Sequence, residues 1–263
     1  MPNQLLDYAA YFIDLDGTIY LGKQILPTVR ETLQKLRKLG KRLLFLTNDA
    51  TQRRERIAAK LLAMGIAVNA QEILNPSYIA IRYLREHHPE APLFVIGEGD
   101  LSCELREAGL NLCNNPDQIR VVLVSTDHRF NYRKLKIAFD AIRGGALFLA
   151  TNADRTYPAP GGEEMPDAGA IIAAIEACTA HPLDGLLGKP ATLMAKLALE
   201  IVNLPAKDCL LVGDNPETDI RMGNRVGIPT ALVRSGVGAN HQEFIETDRP
   251  IYIFEKLGDL FAG

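Results

Sequence analysis

Tyr11-Phe12-Ile13-Asp14-Leu15-Asp16-Gly17-Thr18 sets an apolar run directly against two carboxylates and a glycine. A short apolar run closed by a turn signal reads as a buried strand, and in open α/β sheets ligands collect where such strands end. Asp14 and Asp16 therefore mark a candidate site. Residues two apart on an extended chain point the same way, so both carboxylates would face one point, where their repulsion is costly without a cation between them. Hard oxygen donors in that setting suit Mg²⁺. The same letters also suit a polar turn after a core strand.

The pattern then repeats. Pro27 precedes helical spacing through Val29, Leu33, Leu36 and Leu39, stopped by Gly40. The next apolar run, Leu43 to Leu46, ends in Thr47-Asn48-Asp49, and a right-handed crossover would lay it parallel to the first strand with its polar end on the same edge. Asp49 and Gln52 fit a capping box for a helix running to Met64. Arg53, Arg54 and Arg56 on that helix read as a solvated face.

From about Pro76 a second α/β unit begins, with strands at Leu93 to Ile96, Val121 to Val124 and Ala146 to Ala150, and helices at Leu101 to Ala108 and Tyr132 to Ile142. Thr151 to Pro166 is dense in Pro, Gly, Asn and Asp and reads as a long polar loop, a length that often carries function. Gly97-Glu98-Gly99 reads as a turn, and His128, His181 and His241 stand isolated. After the helix Ala168 to Cys178, the first kind of pattern resumes. Lys189 stands at the start of a helix, and the strand Cys209 to Val212 ends in Gly213-Asp214 and, soon after, Asp219.

Composition narrows the function. The formal charge is −3 with acids and bases interspersed, which leaves no footprint for nucleic acid or anionic lipid and favours a small ligand. Cys103, Cys113, Cys178 and Cys209 form no C-x-x-C pair, so they read as buried thiols in a reducing compartment, not as metal ligands or disulfides. The longest wholly apolar stretch, Ala168 to Ile175, is far short of the roughly 18 residues of a membrane span, and no charged-then-apolar leader precedes it. The expectation is a cytoplasmic protein with no membrane partner.

Three strand ends thus converge with Asp14, Asp16, Thr47, Asn48, Asp214 and Asp219, and Lys189 enters from a helix start. Carboxylates at that density need cations, and Mg²⁺ with a lysine can offset them while leaving a place for phosphate oxygens. One carboxylate can act as nucleophile, forming an acyl phosphate. A second can protonate the leaving oxygen and later deprotonate water.

This ordered set, Asp14-Leu15-Asp16-Gly17-Thr18, Thr47-Asn48, Lys189 and Gly213-Asp214 through Asp219, resembles the four motifs of the haloacid dehalogenase superfamily in its phosphatase branch. The short connection Ile19 to Pro27 leaves no room for a large lid, whereas 142 residues separate Thr47 from Lys189. That spacing is similar to the subfamily with an α/β cap at that point, the NagD-like or p-nitrophenyl phosphatase-like group. Thr151 to Pro158 with Pro166 to Ala170 resembles that group's cap signature.

The resemblance implies a Rossmann-like parallel-sheet α/β core over residues 1–79 and 183–263 with an inserted α/β cap over 80–182. It implies that Asp14 is nucleophile and metal ligand, Asp16 the acid/base with its backbone carbonyl on Mg²⁺, and Asp214 a further ligand. Asp219 would support the metal shell or Lys189. Thr47 and Asn48 would hold phosphoryl oxygens, and Lys189 would stabilise the nucleophile and the transferred charge.

Tyr157 is the candidate for touching the leaving group, with a core aromatic as the other reading. The chain departs from the group's pattern at Asp49, usually Asn, at Asp167, usually Gly, and near Arg53, where a serine is usual. The expected function is Mg²⁺-dependent hydrolysis of a small phosphorylated metabolite, with self-association through the cap. The competing readings are a phospho-accepting switch, which gains nothing from the acid Asp16, and a dehalogenase, which needs neither Asp16 nor Mg²⁺.

Overall fold

The computed structural model describes residues 7–158, 163–240 and 243–261. The opening run forms strand β1 (Ala10–Asp14), buried along its length. A small hairpin, β2 (Tyr20–Leu21) and β3 (Gln24–Ile25), leads to helix α1 (Val29–Lys38). Val29, Leu33 and Leu36 fall on one side of α1 and are buried, and Gly40, at φ 71°, provides the left-handed turn that ends it. Next come β4 (Arg42–Leu46), α2 (Arg54–Ala63), β5 (Ile73–Leu74) and α3 (Pro76–His87). Asn75 caps α3 by accepting the Tyr78 N–H at 3.0 Å, with Pro76 in the first turn where its missing N–H costs nothing.

The chain continues through β6 (Leu93–Ile96), α4 (Gly99–Glu107), β7 (Val121–Val124), α5 (Tyr132–Arg143) and β8 (Leu147–Ala150). The strands β9 (Thr156–Pro158) and β10 (Glu164–Pro166), helix α6 (Ala168–Thr179) and β11 (Gly185–Leu186) follow. The last elements are α7 (Leu193–Val202), β12 (Cys209–Gly213), α8 (Arg221–Arg225), β13 (Thr230–Val233) and β14 (Tyr252–Phe254).

The chain forms two compact units, one of Met1–Thr47, Arg54–Leu74 and Lys189–Gly263, the other of Asn48–Arg53 and Asn75–Gly188. The first is built on a parallel sheet in the order β14-β13-β12-β1-β4-β5. Tyr11, Ile13, Phe45, Val212 and Val233 line one face and pack with Leu33 and Leu36 of α1 and Ile57 and Leu61 of α2. Phe12, Leu44 and Leu211, pointing the other way, are buried as well, the pattern of a parallel sheet covered on both faces. Successive strands run outward in both directions from β1, so the pair β1 and β12 is the switch point where such sheets bind ligands. Ile13 lies opposite Val212 and Asp14 opposite Leu46, which brings the ends of β12, β1 and β4 side by side.

The second unit holds a parallel sheet ordered β11-β8-β7-β6, with a core of Phe94, Val122, Val124, Phe148, Ile171 and Ile175. Thr151 to Pro166 is not wholly a loop: β9 and β10 pair antiparallel with Met165 opposite Tyr157. Thr156 and Tyr157 are good β-formers, and the ladder pairs them with Pro166 and Met165.

Other expectations also need correction. Helix α7 begins four residues after Lys189, which lies in the preceding turn. Cys209 is buried, but Cys103 and Cys178 are exposed and Cys113 is intermediate. The two helical thiols fall off the buried stripes, which are set by Leu101 and Leu105 in α4 and by Ile171, Ile172 and Ile175 in α6. The Asp49 carboxylate accepts the Thr51 N–H at 2.8 Å, closing an Asx turn, and Gln52 reaches it through its side-chain amide at 3.0 Å. Arg53 does not simply face solvent: it forms a two-pronged ion pair with Glu107, both bonds at 2.8 Å. Among the described residues, no helix is long and apolar enough to cross a membrane.

Candidate active site

Three buried carboxylates meet at the end of the first unit's sheet. Asp14 ends β1, Asp214 follows β12, and Asp219 sits in a single π turn (Pro216–Ile220), a wide helical turn frequent at functional sites. Each offers an oxygen within 4.8 Å of the others. Lys189 enters between two of them, donating from Nζ to Asp14 Oδ1 at 2.6 Å and to Asp219 Oδ1 at 2.7 Å. Asp219 Oδ2 accepts the Asn215 N–H at 3.2 Å, and Asp214 Oδ2 accepts the Val237 N–H at 2.6 Å. Asp14 Oδ2 is buried with no hydrogen-bond partner.

Electrostatics follow from that arrangement. Burial, with the charges of Asp219 and Asp214 added, pushes the Asp14 carboxyl well above its usual range, while Lys189 pulls the other way. Burial, then Asp219, pushes Asp214 up to about 7, against the Val237 N–H and Lys189. Burial alone would make Lys189 easier to deprotonate, but Asp14 and Asp219 override it and raise its pKa. Three acids around one ammonium leave the pocket short of positive charge.

The chain bends around this cluster where only glycine fits. Gly17 has φ 84°, and a Cβ there would run into the Asp214 carboxylate; one on Gly236 would strike the same group, and one on Gly213 would strike Asp219. Gly17 is held by its N–H bond to Tyr20 O at 2.8 Å and by the Ser235 hydroxyl on its carbonyl at 2.7 Å.

The other expected residues fall as follows. Strand β1 ends at Asp14, and Asp16 lies two residues beyond it. It lies in a turn closed by the Ile19 N–H on Leu15 O at 2.8 Å, is exposed, and accepts the Tyr20 hydroxyl at 3.1 Å. Thr47 is buried just past β4. Asn48 and Tyr157 belong to the second unit, where the Asn48 amide donates to Asp154 Oδ2 at 2.9 Å.

Tyr157 is part of a group the sequence did not reveal. His128 was expected to stand alone and Glu98 to be part of a plain turn. Instead His128 Nδ1 is 2.6 Å from Glu98 Oε1, its backbone N–H donates to the same oxygen at 3.0 Å, and its Nε2 is 2.6 Å from the Tyr157 hydroxyl. Burial alone would raise the Glu98 pKa, but the two bonds from His128 lower it. Burial, then the charges of Asp167, Glu98 and Asp49, raises that of Tyr157. His181 likewise has a partner, Asp184, at 3.0 Å.

Comparison with known proteins decides the family. A profile described as haloacid dehalogenase-like hydrolase matches residues 11–111, and a second of the same kind matches 186–260. The sugar phosphatase AraL of Bacillus subtilis is 34% identical over 252 residues, covering 96% of this chain and 92% of AraL. The chain belongs to the haloacid dehalogenase-like hydrolases.

Within that family it sits among the NagD-like, p-nitrophenyl phosphatase-like enzymes. The structure of p-nitrophenyl phosphatase from Archaeoglobus fulgidus superposes with a TM-score of 0.90 at 34% identity, over 97% of this chain and 99% of that one. Glycerol phosphate phosphatase from Mycobacterium tuberculosis, solved in complex with magnesium, gives 0.88 at 30% identity, over 97% of this chain and 77% of that one. The protein is therefore a haloacid dehalogenase-type phosphatase. Its aspartate cluster fits a metal site: the donors are all hard oxygens, the charge deficit calls for a cation, and Asp14 Oδ2 is a buried acceptor left over for one.

Proposed function

We propose that this phosphatase is Mg²⁺-dependent and hydrolyses a small-molecule phosphate monoester, such as a sugar, polyol or aryl phosphate, through an aspartyl-phosphate at Asp14. The observation that carries this reading is the position of Asp14: one carboxylate oxygen is clamped by Lys189 and the other is buried without a partner. The Asp14 carboxylate attacks phosphorus, the bond to the leaving oxygen breaks, and Asp16 gives that oxygen its proton. Asp16 then takes a proton from water, whose oxygen attacks the phosphoryl group, releasing inorganic phosphate and restoring Asp14. Lys189 holds the nucleophile in place and meets the growing charge, and Thr47 and Asn48 hold phosphoryl oxygens. Asp14, Asp214 and the backbone carbonyl of Asp16 would hold Mg²⁺, with Asp219 tying Lys189 to the same cluster. Bound there, the ion supplies Lewis-acid charge neutralisation to the phosphoryl oxygens.

In this reading residues 1–79 and 183–263 act as the catalytic core and 80–182 as the cap that chooses the substrate, with Tyr157 touching the leaving group. The relatives named for sugar, glycerol and p-nitrophenyl phosphates support the substrate range. A cytoplasmic location and self-association through the cap fit a metabolite phosphatase. The test is p-nitrophenyl phosphate hydrolysis with Mg²⁺, with chelator, and with Asp14→Asn. Activity that needs both the ion and Asp14 supports the reading; normal turnover by Asp14→Asn overturns it.

A further inference from the structure

Asp16 and Tyr20 are four residues apart, and the chain between them folds back so tightly that the backbone and the side chain of Tyr20 both return to the turn that carries the acid. The Gly17 N–H donates to Tyr20 O at 2.8 Å, the Ile19 N–H closes on Leu15 O at 2.8 Å, and a parallel bridge joins Asp16 to Tyr20. The Tyr20 hydroxyl then donates to Asp16 Oδ2 at 3.1 Å. The two partners differ in freedom. Asp16 is exposed, and an exposed carboxylate has several staggered rotamers open to it. Tyr20 is only 2% exposed and packs in the core of the first unit with Ile19, Ile57 and Leu61. Lys60 of α2 sets its ammonium 3.6 Å from the centre of the Tyr20 ring, an attraction between cation and ring face that holds the phenol further. All three residues belong to the same unit. A phenol fixed in this way is a rigid point of attachment for a mobile carboxylate.

We propose that Tyr20 is a positioning residue for the general acid: its hydroxyl holds the Asp16 carboxyl in the orientation from which it protonates the leaving oxygen. A general acid acts only when its proton comes within hydrogen-bond reach of the departing atom, so selecting one rotamer of Asp16 is worth rate. The proposal rests on the phosphatase reading above and adds to it a residue that acts through Asp16. Its effect scales with the leaving group. An ester that departs as a basic oxyanion needs the proton, and one that departs as a stable anion hardly does.

The test compares kcat/KM for phenyl phosphate and p-nitrophenyl phosphate with Mg²⁺ in the wild type, Tyr20→Phe, Asp16→Asn and the double variant. The two esters share a ring, and p-nitrophenolate is much the weaker base, so it departs with little help. Tyr20→Phe should lose roughly tenfold on phenyl phosphate, the scale of one hydrogen bond to a charged group, and under about twofold on p-nitrophenyl phosphate. Asp16→Asn should lose about 100-fold or more on phenyl phosphate. Adding Tyr20→Phe to it should cost nothing further, because the hydroxyl then has no acid to hold. Lys60→Met keeps the hydroxyl but loosens the ring, and should show the same ester selectivity at about threefold. A purely structural role for Tyr20 would lower both esters alike and would add to Asp16→Asn. Equal losses on the two esters in the folded variants, an additive double variant, or no loss at all in Tyr20→Phe would overturn the proposal. Wild-type turnover of p-nitrophenyl phosphate that vanishes in Asp14→Asn secures the phosphatase reading whatever Tyr20→Phe does. Full phenyl phosphate turnover by Asp16→Asn would remove Asp16 as the acid and the proposal with it. Circular dichroism melts show which variants are folded, and Lys60→Met decides the matter if Tyr20→Phe is not.

Discussion

Lys189 and Asp14, 175 positions apart in the chain, meet at 2.6 Å in the interior of the first unit. The ion pair joins the turn before α7 to the end of the central strand, and through the second bond of Lys189 to Asp219 it ties in the turn after β12 as well. One ammonium thus ties together three segments of the candidate site.

Removing it leaves buried acids facing one another. Lys189→Met is expected to cost about 3 kcal/mol of stability at pH 8, the scale of a broken buried ion pair. It should also lower kcat at least about 100-fold, as loss of one charge-stabilising donor does. Urea unfolding and steady-state kinetics check both. A variant as stable and as active as the wild type would show that the pair is incidental.

Stability should depend on pH in a direction set by the raised acids. In the metal-free protein burial and Asp219 push the Asp214 carboxyl up to about 7, whereas an unfolded aspartate titrates near about 3.9. The folded state therefore binds the extra proton across that window, and stability is lost as pH rises from about 4 to about 7, on the order of 1 kcal/mol per pH unit. Urea midpoints measured in chelator should fall over that range. Asp214→Asn should flatten the fall, and Mg²⁺ should oppose it by binding the ionised cluster. A wild-type profile unchanged by the substitution would contradict this.

Gly17→Ala tests the tight bend after β1. The backbone there is left-handed and the new methyl would meet the Asp214 carboxylate. The expected cost is at least about 1 kcal/mol from the strained φ, with weakened Mg²⁺ binding as Asp214 is displaced. Gly22→Ala is the control, since φ is positive there too but no atom lies within 4 Å of the added carbon. Calorimetric Mg²⁺ titration should separate the two, with only Gly17→Ala losing affinity.

Much of the first unit was legible because its strands announce themselves: apolar runs at β1, β4 and β12 each stop in polar residues, and parallel strands align those stops on one edge. Lys189 could be placed among them by motif but not by local pattern, since the turn that holds it lies four residues before its helix. Asp16 lies in a turn beyond the strand, where the period-two rule that paired it with Asp14 does not apply. Glu98, His128 and Tyr157 were invisible as a group. They lie about 30 positions apart on three different elements of the second unit, and no spacing rule joins a helix start, a loop and a hairpin strand. The hairpin itself was masked by the Pro and Gly around it, which read as loop.

The thiols offer a check on the packing of both units. Cys103 and Cys178 are exposed and Cys209 is buried, with burial pushing its thiol up to about 11. A native-state thiol reagent should label Cys103 and Cys178 within minutes and Cys209 only after unfolding. Fast labelling of Cys209 would contradict the packing of β12.

The most direct measurement concerns the covalent step. Wild-type enzyme mixed with Mg²⁺ and p-nitrophenyl phosphate, quenched within milliseconds and reduced with borohydride, should yield homoserine at position 14, because reduction of an acyl phosphate cuts the side chain down to an alcohol. Peptide mass spectrometry should find that change at Asp14 and at no other carboxylate. Rapid turnover with Asp14 unmodified, or the label on a different residue, would contradict the account.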